Sequence, residues 1–411
     1  MQLDLLTISK YREMGGNKMA KFNKKLVGTL ATFAVLASVI PNVASAAVAE
    51  QPVAKATKKQ ADDRILVKTK AGLASSNVEA KYGLTVKKTI GSDWKVLNVP
   101  AGQVDAYIAK LKSDPDVAAV EADHVVTIAA TPNDPSYGSQ YHLPKIQAPQ
   151  AWDITKGTTS RTIAIIDTGV DLNHADLKGK IVAGTDIVNG DSVAQDDNGH
   201  GTHCAGLAAA ITNNATNVAG VDWNAKIMPI KILDSTGSGF DSDIDSAVIW
   251  AADHGANVIS MSLGGAVFSQ ATQDAINYAY NKGLIIVAAA GNESTSTKSY
   301  PAAYNNVVSV ASTTSTDAKS SFSNYGTWVD VAAPGSSILS LKLGGGTTTM
   351  SGTSMATPIV AGLMSLTWSK NLAYSNTTVI NRIYSTADKI SGTGTYWVNG
   401  RVNAYKAVNG F

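Results

Sequence analysis

A chain of 411 residues with 44% hydrophobic and 16% charged residues is too long for one typical domain and can bury a large core. The net charge of +2 hides an asymmetry: residues 130–411 hold 16 Lys and Arg against 20 Asp and Glu, so the main body carries no nucleic-acid footprint. The one cysteine, Cys204, excludes an intrachain disulfide and leaves stability to core size and bound metal.

Lys21, Lys24 and Lys25 precede the apolar run Leu26 to Ile40, and Ala44-Ser45-Ala46 has a small-x-small cleavage pattern. Residues 1–46 therefore read as an export signal. The run is shorter than the roughly 20 apolar residues a membrane span needs. Asp4 and Glu13 dilute the charge of the first 18 residues, so Met19 is the better start. The mature chain is expected to be secreted and extracellular, with no membrane attachment after cleavage. Residues 47–129 form the next unit. After a polar linker, Arg64–Lys68 reads as a strand and Ser75–Tyr82 as a helix ended by Gly83. Leu84–Val86 and Trp94–Val99 read as strands. Gln103–Lys112 reads as an amphipathic helix with Val104, Ile108 and Leu111 on one face. Val117–Ile128 closes the unit as a strand region. The order β-α-β-β-α-β fits a small α+β ferredoxin-like module. It is either an accessory domain or, given the export signal and the tail Val125–Ala129, a pro-region.

From Ala130 buried-looking strands alternate with helices. Strands are expected at Thr162–Ile166, Lys226–Leu233, Val258–Leu263, Leu284–Ala290 and Val307–Ala311. Helices are expected at Gly201–Ile211, Asp241–His254 and Ala271–Lys282. This alternation predicts an α/β domain over 130–411, a parallel sheet with helices on both faces. Sites in such sheets form at the carboxyl ends of the strands.

Four motifs stand at such ends. Asp167 follows Ile163-Ala164-Ile165-Ile166 directly. His200 opens a helix in Asn198-Gly199-His200-Gly201-Thr202-His203-Cys204. A zinc site on His200, His203 and Cys204 lacks further patterned ligands, and His203 reads as a packed, hydrogen-bonded histidine. Asn292 ends the apolar run Val287 to Ala290 through Gly291 and carries an amide donor suited to an oxyanion. Ser354, in Gly352-Thr353-Ser354-Met355-Ala356-Thr357-Pro358, begins an apolar helical run. Alone it reads as a helix cap; beside a base and an oxyanion donor it reads as a nucleophile.

Together these stretches resemble the subtilisin-like serine proteases, from about Ala130 to the C-terminus. Lys145–Asp153 and Asp388–Trp397 resemble thermitase-like members in particular. The Asp…His…Ser chain order is that of subtilisin. The resemblance implies that Ser354 attacks the scissile carbonyl, His200 is the general base and Asp167 orients it. Asn292 and the Ser354 N–H then hold the oxyanion. It implies a cleft that pairs an extended polypeptide between Ser262-Leu263-Gly264 and Gly237-Ser238-Gly239. Such main-chain recognition gives broad specificity. Small and apolar residues before the pro-junction, Val126 and Ala129, suggest a mild apolar preference. The unit 47–129 then acts as an intramolecular inhibitor of a self-processing monomeric zymogen.

The resemblance also implies calcium. A strong site would gather Asp134, Asp176, Asn214 and Thr216 with backbone oxygens near Ile211 and Val218. A second would use Asp186, Asp191 and Gln195. A third, weaker cation would sit near Tyr300 and Asp330. Oxygen-only loop ligands suit this ion.

Overall fold

The computed structural model describes residues 60–70, 76–124 and 131–411. The expected export signal and the tail Val125–Ala129 lie outside the described residues. Among the described residues no helix is long and apolar enough to cross a membrane.

The N-terminal module runs β1 (Gln60–Thr69), α1 (Ser76–Tyr82), β2 (Thr85–Ile90), β3 (Trp94–Asn98), α2 (Val104–Lys112) and β4 (Val117–His124). Its antiparallel sheet has the order β2-β3-β1-β4, the ferredoxin-like arrangement expected from sequence. Gly83 ends α1 at φ +66°, in the left-handed conformation that only glycine adopts without strain. Ile65, Leu97, Val104 and Leu111 form the core, and Ile108 packs at its edge.

The following domain contains two short helices, α3 (His142–Lys145) and α4 (Ala148–Trp152). Then come β5 (Thr162–Asp167), β6 (Thr185–Asp186), α5 (His200–Ala209), β7 (Lys226–Lys231), α6 (Asp241–Asp253) and β8 (Val258–Met261). They are followed by α7 (Gln270–Asn281), β9 (Ile285–Ala289), β10 (Val308–Thr313), β11 (Val331–Pro334), β12 (Ile338–Leu341) and β13 (Thr347–Met350). The chain closes with α8 (Thr353–Trp368), α9 (Asn376–Thr386) and α10 (Ala404–Val408). Seven strands form one parallel sheet in the order β11-β10-β9-β8-β5-β7-β6. Side chains alternate across it, as strand geometry requires. Ile163 and Ile165 face the core built on α5 and α8. Ala164 and Ile166 face the core built on α6 and α7. Burial on both faces explains why the strands read as apolar runs rather than alternating ones.

The strand order reverses at β5. Its neighbours are β7 on one side and β8 on the other, so the crossovers leave in opposite directions. That divergence opens a crevice at the carboxyl end of β5, where Asp167 stands. The run Thr347–Ser351, which carries no alternating apolar signal, is largely strand. β12 and β13 pair antiparallel, with Ile338 opposite Met350. The partner strand, not the local sequence, makes it extended.

Candidate active site

Helix α8 is apolar all round and buried from end to end. Ser354 is its one residue that is not buried. Helix α5 repeats the pattern: Gly201 to Ala209 are buried and His200 alone reaches the surface. A helix that is hydrophobic on every face belongs in a core, so a polar residue at its first turn is held by everything behind it. Gly206 and Gly362 allow α5, β12 and α8 to approach closely. A methyl on Gly362 would lie 2.5 Å from the Ala208 carbonyl oxygen.

Asp167 is buried, and its Oδ1 lies 2.7 Å from His200 Nδ1. The Thr168 N–H donates to the same oxygen at 2.8 Å. Burial pushes the His200 pKa down. The Asp167 charge and hydrogen bond outweigh it, with Asp196 adding, and the net shift is upward. A carboxylate at Nδ1 places the proton there and leaves Nε2 as the acceptor.

Ser354 does not cap its helix. The N-cap is Gly352, and no side chain caps there. The Ser354 hydroxyl instead donates to the Ser262 carbonyl at 3.2 Å, and the Ser262 hydroxyl donates to the Ser354 carbonyl at 2.8 Å. A turn about the Cα–Cβ bond redirects Oγ between staggered positions.

Asn292 is fixed by Thr353. Its Oδ1 accepts the Thr353 N–H at 2.9 Å and the Thr353 hydroxyl at 3.1 Å. Two donors on one oxygen define that atom as the carbonyl and leave Nδ2 free to donate. The space where a Gly352 Cβ would sit is 3.5 Å from the Ser354 nitrogen and 3.7 Å from Asn292 Nδ2. These two nitrogens, with Met355 Sδ also at 3.7 Å, border one small cradle beside Ser354.

A cleft of about 600 Å³ adjoins His200. All six residues expected to bind substrate, Gly237, Ser238, Gly239, Ser262, Leu263 and Gly264, line it. A smaller pocket of about 240 Å³ shares Gly264 with it and is lined by Glu293, Thr295 and Lys298.

The chain matches the Subtilase family over residues 158–405. The chain belongs to that family. It is 56% identical to thermitase of Thermoactinomyces vulgaris over 68% of this chain and 99% of that protein. It is 48% identical to a thermophilic serine proteinase of Bacillus sp. strain AK1, over 78% of this chain and 79% of the relative. A solved protease structure from Pseudoalteromonas arctica PAMC 21717 superposes with a TM-score of 0.62 at 33% identity, covering 68% of this chain and 99% of that one. This subtilase is a subtilisin-like serine protease, and polypeptides are its substrates.

The zinc alternative does not assemble on His203. That imidazole is fully buried, and its Nε2 lies 3.1 Å from the Ile338 carbonyl and 3.3 Å from that of Thr348. Burial pushes its pKa down to about 4. Ligand atoms of Asp167, His200 and Cys204 do lie within 4.8 Å of one another. The Cys204 thiol, however, is buried against the Ser354 carbonyl at 3.5 Å. Burial and then Asp167 raise its pKa well above the ordinary thiol value.

The expected cation residues fall into three groups. Asp134 accepts the N–H groups of Asn213 and Asn214 at 2.8 and 3.2 Å. Asp176 accepts the Asn214 side-chain amide at 3.0 Å and the Val218 N–H at 3.2 Å. The Ile211 N–H donates to the Asp176 carbonyl at 2.8 Å, and the Thr216 N–H to Asn214 Oδ1 at 2.9 Å. The whole first set is therefore one cluster. Three non-glycine residues there, Asn213, Ala215 and Asn217, hold φ of 62°, 59° and 38°. Such strain persists where the surroundings over-determine it. Two carboxylates and an amide oxygen in a strained loop fit a calcium ion. In the second group Asp186 and Asp191 exchange backbone hydrogen bonds. The Gln195 side chain is engaged elsewhere, by the Leu172 N–H at 3.1 Å and the Asp196 carbonyl at 3.2 Å. In the third, Asp330 lines a cavity of about 370 Å³ with Ala302, Tyr304 and Val307, and Tyr300 is not among its walls. The Tyr300 carbonyl accepts the Gly265 N–H at 2.7 Å.

Two supporting residues carried no motif. Asp196 is buried and accepts five hydrogen bonds, from the Thr168 hydroxyl, three N–H groups (Asn198, Gly199 and Thr202) and the Thr202 hydroxyl. It takes the Gly199 N–H and the open Thr202 N–H at the start of α5, while the His200 N–H goes to Asn198 Oδ1 and the Gly201 N–H to the Thr168 hydroxyl. Lys231 is also buried. Its ammonium donates to the carbonyls of Thr168 and Leu233 at 2.9 and 2.7 Å and to Asp197 at 2.7 Å. It ties the Asp167 turn to the cleft wall. A lysine directly after the apolar run Ile227 to Ile230 is the one sequence signal that could have pointed to it.

Proposed function

We propose that Ser354, His200, Asp167 and Asn292 are the catalytic residues of a secreted endopeptidase with broad specificity, made as a self-processing zymogen. The observation that carries this reading is that two buried helices each expose one residue, His200 and Ser354, beside a cleft. His200 Nε2 takes the Ser354 proton once the hydroxyl turns from the Ser262 carbonyl. Oγ attacks the substrate carbonyl, and the oxyanion enters the cradle of the Ser354 N–H and Asn292 Nδ2. The imidazolium is held by Asp167 and then protonates the leaving amine. Water repeats the sequence to release the acyl group.

The peptide lies extended between residues 237–239 and 262–264 and pairs by main chain. Specificity is then set by side-chain pockets, with a mild preference for apolar residues. The module 47–129 is the inhibitory pro-region, and the export signal directs the chain outside the cell. A 36% identical alignment with Subtilisin NAT over 360 residues supports this, because it is too long to fit within 130–411. The mature enzyme acts as a monomer.

Calcium is held most strongly by Asp134, Asp176, Asn214 and Thr216 with backbone oxygens of Ile211 and Val218. When bound, it fixes a loop cluster that otherwise brings two carboxylates together. Asp186 with Asp191, and Asp330 in its cavity, are weaker cation positions. A fluorophosphonate probe tests the catalytic assignment. One equivalent is expected on Ser354 with complete loss of activity; activity that survives full labelling, or label on another residue, refutes it. Chelator is expected to shorten the half-life on heating, and an unchanged half-life would remove the calcium sites.

A further inference from the structure

The amino ends of the strands carry a second feature. Arg161 immediately precedes β5 and is only 7% exposed. Six residues of strand, about 20 Å, separate it from the crevice at Asp167. Its Nη2 donates to the Leu372 carbonyl at 3.1 Å, and its guanidinium carbon lies 4.1 Å from the centre of the Trp368 ring. Its Nε is buried with no acceptor. Among the described residues no carboxylate pairs with it.

This is an uncommon state for an arginine. Guanidinium groups are rarely so buried unless an anion balances them. The same fold shows the usual solution at Arg401, which is 6% exposed and paired with both Asp317 and Asp388. Stacking on Trp368 offsets part of the charge of Arg161, and one carbonyl satisfies one of its five N–H donors. Burial lowers its pKa, and no acidic group opposes that shift.

Arg161 lines a cavity of about 290 Å³ whose walls include Asn257, Lys282, Ser375 and Asn376. Two cations and no acid line it. Lys282 already has a partner in Asp253, so Arg161 holds the unbalanced charge. The cavity also meets the first turn of α9, an 11-residue helix beginning at Asn376, but there the Thr377 and Thr378 N–H groups are already taken by Asn376 Oδ1 and Ser375 Oγ, so the guanidinium is the donor that remains. Planar donors on a guanidinium suit the two oxygens of a carboxylate or of a tetrahedral oxyanion.

We propose that this cavity binds a small oxyanion, a sulfate- or phosphate-like ion or the carboxylate of a peptide end, on the free donors of Arg161. The site is separate from the catalytic crevice, and its occupancy does not require turnover.

The test uses the whole enzyme blocked with a serine protease inhibitor. Sulfate and acetate are titrated separately against chloride at constant ionic strength, by calorimetry and by the shift in unfolding temperature. One saturable site is expected for at least one of them. Preference for sulfate identifies a tetrahedral inorganic ion, and comparable acetate binding identifies a carboxylate. Arg161→Gln is expected to weaken binding at least tenfold, and Arg161→Lys less. No saturable binding of either anion, or unchanged affinity in a folded Arg161→Gln, overturns the proposal. Should that variant fail to fold, crystals of the unmodified enzyme soaked separately in selenate and in acetate decide: an anomalous selenium peak or acetate density beside Arg161 supports the site, and the absence of both refutes it.

Discussion

Gly201 offers a sharp test of how the catalytic geometry is held. A methyl group there would lie 2.0 Å from the Gly169 carbonyl oxygen and 3.2 Å from Asp167 Cβ. Ordinary contact begins at 3.4 Å, so one segment must move by more than 1 Å. The Gly169 segment cannot retreat easily, because the next residue is tied on both sides: the Val170 N–H donates to the Ala194 carbonyl at 3.0 Å and the Val170 carbonyl accepts the Asp196 N–H at 3.2 Å. The start of α5 therefore moves instead, and it carries His200. The 2.7 Å bond from His200 to Asp167 stretches beyond hydrogen-bond reach. A misplacement of about 1 Å can lower a rate ~10²-fold, and losing the aspartate's hold on the imidazole lowers it ~10⁴-fold. In Gly201→Ala, kcat is expected to fall by a factor between these limits, with KM little changed. Overpacking costs about 1–3 kcal/mol, partly offset by roughly 1 kcal/mol of helix propensity regained. The assay is kcat and KM on a chromogenic peptide, normalised by active-site titration, with thermal unfolding alongside. Gly138→Ala is the control, since a methyl there meets nothing within 4 Å. A Gly201→Ala enzyme within threefold of the parent kcat would refute the reasoning.

Other outcomes follow from the same structure. Activity needs neutral His200, so it should fall as the pH drops through a pKa held above the ordinary histidine value. Asp196→Asn removes one of the charges that raise it, and the acid limb should move to lower pH; a limb that stays put would show that Asp196 does not act on His200. Lys231→Met leaves the Asp197 carboxylate and two carbonyls without their donor. It should destabilise by about 1–3 kcal/mol, discounted because Asp197 is 49% exposed, and raise KM, because Leu233 lines the cleft; Lys231→Arg should recover part of both. Burial pushes the Asp388 pKa up, but Lys406, Asn403 and Arg401 outweigh this and hold it below the usual value. A depressed carboxylate stabilises the fold above its unfolded pKa, near 4, and that stability is lost as pH falls through the lower folded value. Arg401→Met should therefore cost about 2–4 kcal/mol at neutral pH, discounted because Asp388 and Asp317 are 20% and 24% exposed, and should flatten this acid dependence. Equilibrium unfolding at pH 7 and pH 3 measures both effects.

The sequence by itself determined the elements and the identities at their ends. The apolar runs ending in Asp167 and Gly291-Asn292, and the helices opening at His200 and Ser354, are local patterns. They required a doubly covered parallel sheet with polar residues at its rim. The ferredoxin-like order was equally legible, because hairpin strands and amphipathic helices announce themselves within a few residues. What the sequence did not contain was the set of long-range partners. In the β12–β13 hairpin the polar strand β13 has no apolar alternation of its own and is extended against the apolar strand β12, whose Ile338 and Leu341 sit in the core. Asp196 carries no motif in the sequence, yet it accepts the open Thr202 N–H of α5 from outside the helix. Ser354 read alone as a cap, but Gly352 holds that position, and its hydroxyl is left to Ser262 and the cleft. Nothing in the sequence around Arg161 marks it for burial. Its burial beside Trp368, without a counter-ion, exists only once α8, α9 and β5 are packed. Periodicity fixes which face of an element is apolar; which charge meets which is a property of the assembled fold.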